Sequence, residues 1–369
     1  MKADKLFKGF TGVGQVTAVV ADDGIDLVMG DEFAPGEPRA ELRLRGDIDA
    51  LPEFMRSKPK VFAVESSPGV SSLGPAPHDA VAVDVIPFVS AWAYTEGAEA
   101  RKDFFELGTD MLFSVYVHAG RMYVSDGKRL HTAPCGVPSD FPTFRVPGGM
   151  LALFVRLFTL APRQTTIRLS RDSRLVSLLI RGGPIEARLS VRAEKTDTMP
   201  MGLVDIFSST VPLYRQHDET VHLDTTPADL LSAVEAATTH DPDGKPLPAN
   251  TREKTRVLNL SLRPDRAAFF SDSPTPPVHI EGVVGGNEEF VQFADEEWLR
   301  VNKQYLALAV PPGERVSVVY RSPREPLVIE GQNGEVAVVM PVNVLKDWNH
   351  QSHRQMRAEA RLDVEFASA

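Results

Sequence analysis

Cysteine is all but absent from this chain of 369 residues: Cys135 is the single example. An intramolecular disulfide is therefore impossible, and a reducing compartment is the expected setting. Cysteine pairs and His-Glu-x-x-His are also lacking, so no zinc or other metal site is expected. Gly12-Val13-Gly14 lacks the third glycine of a dinucleotide loop, and neither a Walker loop nor a Gly-x-Ser-x-Gly elbow occurs. His350 and His353 read as surface residues. This census points away from catalysis and names no cofactor. Long apolar runs are missing too. The longest, Met150 to Leu160, is interrupted by Arg156 and is too short to span a bilayer. Met1 to Phe10 holds three lysines with no apolar run after them, so no signal peptide is expected and the chain reads as soluble and intracellular. An excess of positive charge is lacking as well: 40 Lys and Arg stand against 50 Asp and Glu, a net charge of −10. That balance argues against a generic nucleic-acid coat, although a local basic surface on an acidic body stays compatible with it.

What is present is length and pattern. A chain of this size needs two or three domains. Lys2 to Phe10 reads as a short basic helix. Gln15 to Val20 and Ile25 to Met29 read as strands around Asp22-Asp23-Gly24, and Arg39 to Leu44 alternates as a half-buried strand does. Asp47 is placed to cap a helix with Ile48, Leu51 and Met55 on one face, and Val61 to Val64 is a further strand. Ser66 to Pro77 is a linker, which sets a first domain of 1–79.

Val81 to Val83 opens a second domain, 80–210. Pro87 suits the first turn of a helix with Phe88, Ala91 and Trp92 inward. Met111 to Val117 pairs with Met122 to Val124. Phe144 to Val146 is a strand, and Pro147 starts a helix with Leu151, Phe154, Val155 and Phe158. Thr166 to Ser170, Leu175 to Ile180 and Ile185 to Val191 close the domain. In the last of these, Glu186, Arg188 and Ser190 define a wet face.

Val221 to Leu223 opens a third domain, 211–344. Thr226 and Pro227 start a helix with Leu230, Leu231 and Val234 inward. Val257 to Leu262 pairs with Ala267 to Phe270. Asn302 caps a helix holding Tyr305, Leu306 and Ala309. Val316 to Tyr320, Leu327 to Glu330 and Val336 to Met340 follow. Residues 345–369 form an extension, in which Arg354, Arg357 and Arg361 fall at helical spacing. The second and third domains share one order of elements, and Gly24 to Asp31, Gly120 to Asp126 and Asp265 to Asp272 mark equivalent places. The reading is three copies of an α+β module, the first abbreviated.

The stretch that organises this pattern is Gly120 to Leu130. Met122 to Val124 is a strand, Asp126-Gly127 a turn, Lys128 and Arg129 sit just outside it, and Leu130 returns to apolar contact. Together with Met111-Leu112-Phe113, Asn302, Tyr305 and Met340-Pro341, this stretch resembles the bacterial DNA sliding clamp, the β subunit of the replicative DNA polymerase. The resemblance covers Val81 to Val344 well and Met1 to Asp79 loosely.

The resemblance implies a DNA-clamp fold: three modules in an arc, helices on the inner wall and sheets outside. It implies a non-catalytic processivity factor that encircles duplex DNA without reading sequence. Its ring is a head-to-tail homodimer, opened by a clamp loader. Localisation is cytoplasmic, at the nucleoid, or in an infected host cell if a phage encodes it. DNA-facing candidates are Lys5, Lys8, Arg101, Lys102, Arg156, Arg300 and Lys303, with Phe104 and Phe105 at positions that touch DNA in the family, although both lack hydroxyls, which favours core packing. A groove for polymerase and other partner peptides is expected between the second and third modules. Leu107, Ser125, Gly127, Lys128, Arg129 and Leu130 form one wall; Val338, Met340, Pro341 and Val342 form the other. Arg129 is placed to hydrogen-bond a peptide carbonyl. Three departures stand out: Lys128 replaces the usual His, Val342-Asn343-Val344 replaces Met-Arg-Leu, and the first module is short. The short module makes a clamp-like scaffold or decoy that does not encircle DNA the alternative. Finally, Arg361-Leu362-Asp363-Val364-Glu365-Phe366 is similar to a clamp-binding peptide with Arg where Gln is usual.

Overall fold

A computed structural model of the protein describes residues 16–21, 24–30, 38–46, 79–98, 114–156, 166–172, 175–182, 185–192, 211, 220–239, 257–263, 266–271, 278–280, 283–286, 299–321 and 325–342. The expected helices at Lys2–Phe10 and after Asp47, the strand at 61–64, Met111 to Phe113, Phe158 and the extension 345–369 lie outside the described residues. The chain divides into two compact units, residues 1–207 and 208–369.

The first unit begins with β1 (Val16–Ala21), β2 (Gly24–Gly30) and β3 (Pro38–Gly46). After β4 (Ala80–Asp84) and α1 (Val85–Thr95) come β5 (Ser114–His118), β6 (Arg121–Ser125), β7 (Arg129–Pro134) and β8 (Phe144–Pro147). Then α2 (Gly148–Arg156) leads to β9 (Thr166–Arg171), β10 (Leu175–Gly182) and β11 (Ile185–Arg192). A seven-stranded sheet has the order β1-β2-β3-β11-β10-β9-β4, and β7, β6, β5 and β8 are hydrogen-bonded in that order. Because β3 pairs with β11 from Ala40–Val191 to Gly46–Ile185, the strands before residue 79 share a sheet with those after it. Residue 79, the expected boundary, lies within the first of the two units.

Alternation explains the core. Leu42 and Leu44 of β3 lie opposite Leu189 and Ala187 of β11, and all four are buried. Helix α2 packs on β3 and β11, with Leu151 and Phe154 fully buried. Large aliphatic and aromatic groups at every second strand position and every third or fourth helix position are what that interface requires. The opposite face is drier than its composition implies. Ser190 is completely buried, 3.0 Å from the hydroxyl of buried Ser177, and Glu41 beside it accepts from Arg43 Nε at 2.7 Å. Ser177 and Ser190 are register partners across β10 and β11, and Glu41 of β3 lies opposite Ser190. Burial beside Arg43 pulls the Arg188 guanidinium below its ordinary pKa.

Helix α1 starts at Val85, which puts Pro87 in the first turn as expected. Asp84 is its cap, the carboxylate accepting from Ile86 N at 3.0 Å, and at Pro87 no intrahelical donor is needed. Phe88, Ala91 and Trp92 are buried as expected, against β6 and β7.

The second unit contains β12 (Val221–Thr225), α3 (Pro227–Thr239), β13 (Val257–Arg263), β14 (Arg266–Ser271), β15 (Val278–Ile280), β16 (Val283–Gly286), β17 (Leu299–Asn302), α4 (Lys303–Ala309), β18 (Val316–Tyr320), β19 (Leu327–Gly331) and β20 (Val336–Val339). Strands β16-β12-β18-β19-β20 form one hydrogen-bonded run and β15-β14-β13-β17 another. Thr226 caps α3, its hydroxyl accepting from Asp229 N at 3.1 Å. The inward face is Leu230, Ala233, Val234 and Ala237. Leu231, expected inside, is 40% exposed, because it lies one position round from that stripe. Asn302 caps α4 as expected, accepting from Gln304 N and Tyr305 N at 2.9 and 3.3 Å. Strands β7, β15, β16 and β17 have no counterpart in the sequence reading. The described fold is α+β, with extensive antiparallel pairing and few helices.

Candidate partner-binding site

The stretch Gly120 to Leu130 builds two consecutive hairpins. The first turns at Ala119-Gly120, both at positive φ, 47° and 77°. A side chain at Gly120 would also place its Cβ 3.0 Å from Val137 O. The second turns at Ser125 to Arg129, with Gly127 at φ 81°.

Asp126 organises this second turn. Its Oδ1 accepts from Lys128 N and Arg129 N, each at 2.9 Å, and its Oδ2 accepts from Arg129 Nε at 3.0 Å. Ser125 Oγ accepts from Gly127 N at 3.1 Å and donates to Arg129 O at 2.8 Å. Asp126 N closes the turn on Arg129 O at 3.3 Å. All four backbone N–H groups from Asp126 to Arg129 therefore bond within the turn. What it offers outward is shape and the exposed Gly127 and Lys128.

This corrects one expectation. Arg129 does not sit outside the hairpin: it is the first residue of β7, and the side chains of Arg129 and Asp126 are 1% and 2% exposed. A buried guanidinium must be paired, and the carboxylate three residues earlier provides the pairing. The signal was present as the Asp126–Arg129 spacing, but it read as turn chemistry alone. Its Nε donates to Asp126 Oδ2. Leu130 and Ser125 are buried beneath the tip.

Behind the hairpin, His131 in β7 is fully buried and stacks on Tyr94 of α1, ring centres 5.2 Å apart at 19°. Its Nδ1 lies 3.3 Å from Tyr94 O, so Nδ1 carries the proton, and Nε2 is buried without a hydrogen-bond partner. Burial holds the imidazole at a pKa of about 3; the Tyr94 carbonyl works against that and the Arg129 charge adds to it. Burial also pushes the Cys135 thiol up to about 11 and raises the Tyr123 phenol.

In the second unit, Val338 is a core residue of β20, whereas Met340 is 41% exposed and Pro341 and Val342 are half-buried. Val342 N donates to Arg300 O at 2.8 Å, which lays this segment beside the β17–α4 junction. There Arg300 and Lys303 are both partly exposed. Of the other residues named from the sequence, Lys5, Lys8, Arg101, Lys102, Phe104, Phe105 and Leu107 lie outside the described residues. Arg156 ends α2, and its side chain is not among those described. Among the described residues, no group of three or more His, Cys, Asp or Glu is placed to hold a metal, and no helix is long and apolar enough to cross a membrane.

These units have the fold of solved bacterial DNA sliding clamps. The crystal structure of the DNA polymerase III beta subunit from Thermotoga maritima matches with a TM-score of 0.59 at 13% identity, covering 93% of this chain and 97% of that one. The DNA polymerase sliding clamp from Caulobacter crescentus matches with a TM-score of 0.56 at 17% identity, over 90% of this chain and 92% of that one. The Pseudomonas aeruginosa sliding clamp bound to griselimycin matches at 0.55 and 15%, over 93% and 98%. No family model matches the chain, and no curated protein matches its sequence.

Proposed function

We propose that this protein is a DNA sliding clamp: a non-catalytic processivity factor that encircles duplex DNA and tethers a DNA polymerase. The fold match along nearly the whole length of solved clamps carries this reading. The proposed architecture is three modules in an arc, 1–79, 80–210 and 211–344, with the first abbreviated. The described order supports it, since β-α-β-β-β occurs twice between Ala80 and Arg192. A head-to-tail homodimer completes the ring, and a clamp loader opens it.

Sliding requires weak, sequence-independent attraction to phosphates, supplied by Lys and Arg. Arg156, Arg300 and Lys303 are the proposed contacts within the described elements, with Lys5, Lys8, Arg101, Lys102, Phe104 and Phe105 beyond them. Partner peptides are taken by the tip Gly127-Lys128, shaped by Ser125, Arg129 and Leu130 with Leu107, and by Met340, Pro341 and Val342 over Val338. Exposed Met340 and half-buried Pro341 supply apolar surface for such a peptide. The test is topological. A clamp loaded on nicked circular DNA stays bound after a salt challenge and is lost when the circle is linearised; equal loss from both forms refutes encirclement.

One observation favours a second reading, a clamp-like scaffold that does not encircle DNA. The four described helices carry Arg156 and Lys303 against Asp229 and Glu235, so their formal charges cancel. Those four helices by themselves present no net positive charge to a duplex. Light scattering separates the two readings: a ring has at least twice the chain mass of 40.5 kDa, and a monomeric scaffold does not.

A further inference from the structure

The second unit carries an apolar patch beside cations. Met340 is exposed, Pro341 and Val342 are partly so, and the Val342–Arg300 backbone bond holds them next to Arg300 and Lys303. An extended occupant of this patch must present apolar side chains along one edge, and negative charge on it is favoured by the neighbouring cations.

The chain itself contains such a segment. Leu362-Asp363-Val364-Glu365-Phe366 alternates apolar and acidic residues, the pattern that puts Leu, Val and Phe on one side of an extended strand and two carboxylates on the other. We propose that this segment docks on the Met340–Val342 patch of its own chain and competes there with partner peptides. Leu362, Val364 and Phe366 cover the patch, while Asp363 and Glu365 make the segment an anion beside Arg300 and Lys303. The inference rests on reading that patch as part of the peptide-binding site, and it adds regulation of that site.

Geometry permits the return. Leu362 lies twenty positions beyond Val342, which is enough chain to return the segment to the patch at about 1.5 Å per residue or at about 3.3 Å per residue. Such a tether holds its end at an effective concentration on the order of 1 mM. A segment with an intrinsic Kd of about 0.1 mM then occupies the patch roughly nine-tenths of the time and weakens a competitor about tenfold.

The test uses the full chain and a full-length variant, Leu362→Ala with Val364→Ala and Phe366→Ala, which leaves the described fold untouched. Two fluorescent probes are titrated by anisotropy: a synthetic peptide of residues 359–369, and the same peptide with serine in place of Asp363 and Glu365. The expected result is about tenfold tighter binding of both probes to the variant, with the acidic probe ahead of the serine probe. Adding Met340→Glu to the variant abolishes the gain. Equal affinity of the acidic probe for both chains, with Met340→Glu still blocking it, overturns self-occupancy but leaves the peptide site standing. Binding of neither probe to either chain overturns the site itself.

Discussion

Lowering the pH from 7.5 to 5.0 is a perturbation aimed at His131. The ring is sealed between β7 and Tyr94, its Nδ1–H bonded to Tyr94 O and its Nε2 facing no donor or acceptor. Its folded pKa of about 3 lies below the ordinary histidine value of 6.5. Between these values the unfolded chain binds a proton that the folded chain refuses, so stability falls as pH falls. The contribution is fully present above pH 7. It is reduced by about 0.8 kcal/mol at pH 6 and about 2 kcal/mol at pH 5. His131→Phe keeps a ring against Tyr94 and removes the titrating group, at a cost of about 1 kcal/mol for the lost hydrogen bond. The variant is therefore less stable than the parent at pH 7.5 and more stable at pH 5.0, the curves crossing near pH 6. The assay is urea unfolding followed by Trp92, a buried residue of α1, with Trp298 and Trp348 replaced by Phe. Parallel pH curves for the two proteins would refute the argument, since the other histidines contribute equally to both.

Asp126→Ala removes the carboxylate that pairs with a buried guanidinium and holds two backbone N–H groups; a loss of about 3–5 kcal/mol in urea unfolding is expected. Gly127→Ala, at φ 81°, costs about 1–2 kcal/mol in the same assay. Leu230→Ala empties a fully buried site and costs about 2–5 kcal/mol, whereas Leu231→Ala on the exposed side changes stability by less than about 0.5 kcal/mol. Cys135, buried and held as a thiol, stays unlabelled by maleimide at pH 8 in the native protein and reacts once urea unfolds the first unit. If Arg300 and Lys303 meet phosphates, converting both to Ala lowers the slope of log K against log salt by about 1.8.

Local order was readable from the residues in sequence. Helix α4 follows from Asn302 and the spacing of Leu306 and Ala309, and α3 from Thr226, Pro227 and Leu230, because capping and the 3.6-residue period act within a few positions of the chain. Hairpins such as β1–β2 and β5–β6 were equally legible, since a two-residue turn dictates its own pairing. Short strands were not. Arg129 to Pro134 lacks a clean alternation, and Leu299 to Asn302 alternates over only four residues; their strand character is completed by the neighbours that accept them, β6 for β7 and β13 for β17. Burial at the candidate site followed the same division. Val338 sinks into the core while Met340, two residues on, stands exposed past the end of the strand. Ser190 is buried although Glu186 and Arg188, on the same face of its strand, are only partly so. Whether a given side chain meets solvent depends on what packs over it, and distant segments that no local pattern encodes decide that.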